Sequence, residues 1–336
     1  MPRNLPAAAM LASVLVIAAC GGSASPTNST PAHSTTARHS RPRAAKPLTS
    51  VTTTPAGSLR AAVQDPAFAA LGDGRIFLLG GIDSTGGSTS SIQALTSGAA
   101  SHAGALPAPQ HDAQAAVLGP AVYVFGGGYT SGYDHILRYD PSSATVTTAG
   151  RLPTPASDVA VAAVGDTAYI VGGYTGSSPL DTILAWKPGA PPRAVGHLPA
   201  GLRYAAVTAV GSRLIIAGGT AADAPTDAIL SFDTSTGTLN KIGRLPVALT
   251  HASAATLAGE AVLVGGRRAL DGAQTDAVLA IDPATGRVRT VGHLPHPLSD
   301  AAAAVVGNRI VVAGGDGGNG AQSAVFAISL RTGAGA

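Results

Sequence analysis

Asp65, Asp112, Asp158, Tyr204, His251 and Asp300 each stand six positions beyond one of six recurring leucines, Leu59, Leu106, Leu152, Leu198, Leu245 and Leu294. Each leucine closes a Gly-x-Leu triplet, and each of the six residues opens a run of small apolar residues. Four carboxylates, a phenol and an imidazole at equivalent places could together hold a cation, a guanidinium or the hydroxyls of a sugar. Carboxylates gathered in one place also raise one another's pKa. Taken singly, an Asp at the start of a strand reads more simply as a cap that accepts hydrogen bonds from loop N–H groups. Taken together, the set favours a site. Only 18 acidic residues occur in 336, and a cap could as easily have been Ser, Thr or Asn. Both readings stay open at this stage.

Other chemistry is thinly represented. His111 beside Asp112 has the elements of a metal ligand pair, but no second histidine has matching spacing, so a surface histidine is the simpler reading. His-Glu-x-x-His, Gly-x-Ser-x-Gly and phosphate-loop patterns are absent. The single Glu, Glu260, falls in a hairpin between two apolar runs. No metal site, no cofactor and no catalytic residue are expected.

The elements that must position the six residues come from a repeat. A double glycine recurs at Gly80-Gly81, Gly126-Gly127, Gly172-Gly173, Gly218-Gly219, Gly265-Gly266 and Gly314-Gly315, in register with the Gly-x-Leu triplets. A period in the forties is the mark of propeller blades. Within each unit an apolar run (AVAAVG, AVTAVG, AAAVVG) is followed by a second that ends in the glycines (AYIVGG, LIIAGG). A third strand follows, as in Asp134–Asp140, Asp227–Asp233 and Asp276–Asp282, and a short polar strand closes the unit. Short apolar, β-branched runs between turns are buried strands. The expected fold is all-β: a six-bladed propeller with four antiparallel strands per blade. The last unit has no fourth strand after Ile328, and residues 48–54 supply the matching segment at the front. An N-terminal strand therefore completes the last blade and removes an open edge.

The double glycine after the second strand and the aromatic-Asp of Tyr139-Asp140 resemble the kelch-repeat family, over about residues 48–330. The usual fourth-strand Trp is replaced by Val146, Pro192, Leu239 and Val288. The third-strand aromatic persists as Tyr139, Trp186 and Phe232 but becomes Ile281 and Ile328. The resemblance implies that the loops opening the innermost strands share a face with those after the double glycines. That mouth would gather Asp65, Asp112, Asp158, Tyr204, His251 and Asp300 with Arg203, Tyr129, Tyr174 and Arg267, near Gln110, His111, Arg268 and Asp316. Arg151, His197, Arg244 and His293 would form a basic rim, and Glu260 would lie on the opposite face. The function implied is a binding or scaffold propeller that recognises a polar ligand at its mouth. A carbohydrate-active enzyme of the sialic-acid-epimerase-like kelch type is the alternative, with His251 and one Asp as its acid and base. Galactose-oxidase-like copper chemistry would need a cysteine cross-linked to tyrosine, and the one cysteine is committed elsewhere.

That cysteine ends Ile17-Ala18-Ala19-Cys20-Gly21, which resembles a bacterial lipobox. Arg3 and the 15 apolar-rich residues from Leu5 to Ala19 form a signal peptide, shorter than the roughly 20 residues of a membrane span. Residues 1–19 are thus expected to be removed and Cys20 to carry diacylglycerol and a fatty acid such as palmitate. Acyl chains anchor with about 0.8 kcal/mol per buried CH₂. Residues 20–47 are polar, Pro-rich and unable to fold, a tether reaching roughly 30 Å; residues 48–336 form the propeller. The composition, with 43 Gly and a single Glu, is that of a high-GC, actinobacterial-type genome. The net charge of +3 arises from the tail: Arg3, Arg38, Arg41, Arg43 and Lys46 leave 16 basic against 18 acidic residues downstream, a balance of −2. No nucleic-acid face is expected. The predicted location is the outer face of the cell membrane, the predicted partners the membrane and an envelope protein, peptide or glycan.

Overall fold

The computed structural model describes residues 47–129 and 131–331; Cys20, the expected signal peptide and nearly all of the tether lie outside them. The described residues contain strands and no helix. Six four-stranded antiparallel sheets follow one another along the chain. In blade three the strands are Ala160–Val164, Thr167–Val171, Thr182–Trp186 and Arg193–His197, paired in that order. The innermost strands of successive blades touch one another, and that of blade six touches that of blade one. The propeller is closed.

Closure uses the front of the chain. Blade six consists of Ala302–Val306, Arg309–Ala313, Ala324–Leu330 and, outermost, Val51–Ser58. Val51 pairs with Leu330 and Ser58 with Ala324. Glu260 lies in the hairpin of blade five, and its carboxylate accepts the Leu48 N–H at 3.1 Å and the Arg289 guanidinium. Arg289 Nε in turn donates to the Leu48 carbonyl at 3.2 Å. This mostly buried ion pair seats Leu48 against blade five.

Side chains on the two faces of each sheet bury against the neighbouring blades, which gives one core per interface. Between blades two and three, Trp186 meets Tyr123 and Phe125 edge-on at 5.0 and 5.4 Å. Between blades four and five the core is wholly aliphatic, built from Ile215, Ile229, Leu263, Leu279 and Ile281. The loss of third-strand aromatics is thus absorbed by branched aliphatics. The Gly-x-Leu glycine has its own role. A Cβ on Gly196 would lie 2.8 Å from the Phe232 ring of the next blade. Just before it, the fourth strand bulges: Ile183 faces Gly196, but Leu184 faces Ala194.

Candidate functional site

Each innermost strand is preceded by one residue in the left-handed backbone region: Asp65, Asp112, Asp158, Tyr204, His251 and Asp300, with φ between 52° and 57°. Their backbones join blade to blade. Asp112 N–H donates to Asp65 C=O, Asp158 to Asp112, Tyr204 to Asp158, His251 to Tyr204, Asp300 to His251 and Asp65 to Asp300, at 2.9–3.3 Å. A closed ring of hydrogen bonds therefore encircles the axis. Asp is among the few non-glycine residues that adopt this conformation readily, which gives its recurrence a local cause. For Tyr204 and His251 the same geometry carries strain, of the kind that clusters at functional sites.

The six side chains line one end of an axial cavity of about 390 Å³, whose wall farther in is largely alanine. Asp158 and Asp300 are buried, at 5% and 6% exposure. Among the described residues no backbone N–H donates to any of the four ring carboxylates. The capping carboxylates lie elsewhere: Asp83, Asp140, Asp233 and Asp282 accept from N–H groups two residues on. The ring carboxylates instead meet one another. Burial, then the charges of Asp300 and Asp112, pushes the Asp65 carboxyl well above its usual range. Burial, then Asp158, does the same to Asp112.

Two arginines enter from flanking loops. Arg267 donates to Asp300 at 2.7 Å, Asp316 at 3.1 Å and Ser299 at 3.1 Å. Arg203 approaches Asp158 at 3.6 Å and covers the Tyr174 ring at 4.4 Å. Tyr204 stacks on His251 with ring centroids 3.8 Å apart. Burial lowers the His251 pKa, against the pull of Asp300, so its imidazole is neutral near pH 7. Of four buried side-chain nitrogen and oxygen atoms without a hydrogen-bond partner among the described residues, three are here: Arg203 Nε, His251 Nδ1 and Asp300 Oδ1. The fourth is Trp186 Nε1, in the core.

Each entry loop bridges to the loop after its own blade's double glycine, as Ser157 does to Tyr174 and Ser299 to Asp316, so both loop sets share the mouth face. The structure brings together Asp65, Asp112, Asp158, Tyr204, His251, Asp300, Arg203, Tyr174 and Arg267. Tyr129 is left out; it projects from its loop at 57% exposure. Gln110 is fully buried and hydrogen-bonded to His135, and His111 contacts Ser88 at 2.7 Å. The basic rim does not form as free charge. Arg151, His197, Arg244 and His293 pair with Asp134, Asp181, Asp227 and Asp276, which open the adjacent third strands. Ser299, which links Arg267 to Asp300, was the participant that sequence reasoning missed; a lone serine before a ring Asp carries no signal.

Two comparisons with known proteins agree with this fold. The Kelch motif is matched at residues 155–189 and 297–334, in blades three and six. The fold is a kelch-type β-propeller. A solved structure entitled "Structure of YjhT" superposes with a TM-score of 0.72 over 82% of this chain and 97% of that one, at 17% sequence identity. At that identity the likeness of this kelch-type propeller is one of fold alone. No curated protein matches the sequence.

Proposed function

We propose that the protein is a binding module of the cell envelope, exported, lipid-anchored through Cys20 to the outer face of the cell membrane, with a propeller mouth that recognises a polar ligand. The partner would be an envelope protein, a peptide or a glycan. One observation carries the mouth reading: three buried, unpartnered polar atoms belong to the ring and its flanking arginine. Such atoms cost about 1–3 kcal/mol each unless something satisfies them. The test is the double substitution Asp112→Asn with Asp158→Asn, which keeps shape and removes charge. The protein should fold normally and lose its ligand in a thermal-shift screen of glycans, peptides and metal ions. A ligand retained at full affinity overturns the mouth reading.

The anchor is tested separately. Cys20→Ala should abolish acylation and move the protein out of the membrane fraction; wild-type protein recovered without an acyl group overturns the anchor. A second reading, a carbohydrate-active enzyme of the sialic-acid-epimerase-like kelch type, is favoured by one distance. His251 Nε2 lies 3.9 Å from Asp300 Oδ1 at the cavity wall, an imidazole and a carboxyl group side by side, as acid–base chemistry would need. Under that reading His251→Ala should abolish turnover of a sugar that still binds.

A further inference from the structure

The mouth's charges are largely spent on one another. Arg267 is held by Asp300 and Asp316, Arg203 stands by Asp158, and Asp65 and Asp112 face Asp300 and Asp158. What remains unsatisfied is an arc across blades four to six. Arg203 Nε is a donor, Asp300 Oδ1 an acceptor, and His251 Nδ1 lies between them in ring order. A simple cation would use acceptors only and would sit among two guanidinium groups. An anion could take Arg203 but would face the buried Asp300 carboxylate. A hydroxyl both gives and takes a hydrogen bond, so neighbouring hydroxyls can answer donor and acceptor in turn. Beside the arc, the aromatic pair Tyr204 and His251 lines the cavity wall, an apolar surface of the kind that packs against the C–H edges of a ring.

Resting on the mouth-binding reading, we infer that the arc Arg203–His251–Asp300 selects an uncharged, hydroxyl-rich ligand of the saccharide or polyol class over cations and anions. The experiment is calorimetry and thermal shift on the purified protein at pH 7 with three probe sets. The neutral set is methyl glucoside, N-acetylglucosamine and myo-inositol; the cationic set is putrescine and calcium chloride; the anionic set is glucuronate and N-acetylneuraminate. Two variants accompany the wild type. Asp300→Asn alters the acceptor, and His251→Phe keeps the stack on Tyr204 while removing the ring nitrogens. A neutral probe should bind, the charged sets should bind at least tenfold more weakly, and each variant should weaken the neutral probe about tenfold or more. Tighter binding of a cationic or anionic probe that is still lost in the variants overturns the neutral preference and leaves the mouth reading intact. Binding untouched by both variants overturns the mouth reading, and this inference with it. No binding by any neutral probe overturns the inference alone.

Discussion

A φ near +55° at every ring position answers why four of the six residues are aspartate. The backbone asks for a residue tolerant of the left-handed region, and the carboxyl that comes with it is then turned on the axis rather than back into the loop. The position was legible by counting from each Gly-x-Leu leucine, and so were the flanking Arg203, Tyr174 and Arg267. The pairing of carboxyls and the three orphaned atoms were not, because they depend on distances between blades far apart in sequence. Two predictions belong at this scale. Asp112→Asn should fold, since Asn also tolerates the left-handed region, whereas the β-branched Asp112→Val should cost about 1–2 kcal/mol more in urea unfolding. The second concerns pH. Asp112 has a folded pKa raised above the ordinary 3.8, so the folded chain holds that proton more tightly than the unfolded one. The stability this contributes is complete below about pH 4 and is lost as pH rises through the folded pKa. Asp112→Asn removes that loss, so its melting temperature should match wild type near pH 4 and exceed it by on the order of 1–3 °C at pH 7. Asp140 runs the other way. Ser142 holds its pKa down to about 2, so its contribution is present above pH 4 and disappears as pH falls toward that value. Equal wild-type and Asp112→Asn curves from pH 4 to 8 would contradict the buried acid pair.

Strands were the most legible elements, and the reasons for their markers the least. The double glycine, legible only as a repeat marker, forms a bond between blades: Gly127 N–H donates to Ala156 C=O and Gly173 N–H to Leu202 C=O of the next blade. Gly150 and Gly196 have a contact that no pattern within one repeat could reveal, since their partners, Trp186 and Phe232, are third-strand side chains of the following blade. Gly196→Ala should therefore cost about 1–3 kcal/mol, because the Phe232 ring is packed where the methyl must go. Gly72 is the control, with open space around its Cβ position and no positive φ, and Gly72→Ala should be neutral or slightly stabilising. Equal effects of the two substitutions in chemical denaturation would count against aromatic-on-glycine packing between blades.

At the scale of the whole molecule, the ring stands on one splice, the seam in blade six. Every other blade is made from one continuous segment, so its four strands pair with short loop-closure distances. Blade six joins Val51–Ser58 to Ala324–Leu330 across the length of the domain, and the splice is reinforced from its neighbour. Leu48 and Val51 lie in the core between blades five and six with Val278, Ile310 and Phe326. Glu260, buried at 6% exposure, has Arg289 and the Leu48 N–H as partners. Deleting residues 48–56 would strip one strand from blade six, expose the edge of Ala324–Leu330 and uncover the core beneath Leu48. It would also leave the Glu260–Arg289 pair open to water on one side. Two lost apolar anchors alone amount to roughly 3–6 kcal/mol, a large fraction of the stability of an ordinary domain. The truncated protein should melt at least 10 °C lower, over a broader transition, and should aggregate through the bared edge. Deleting residues 21–44 leaves every described strand in place and should leave the melting temperature within about 1 °C of wild type. Glu260→Ala, which keeps the strand and breaks its clasp, should fall between the two, by about 3 kcal/mol if the arginine is left buried and alone. Calorimetric scans of the three proteins give the order directly. A 48–56 deletion as stable as the 21–44 deletion would mean that the ring is held by its blade interfaces alone and that the seam is dispensable.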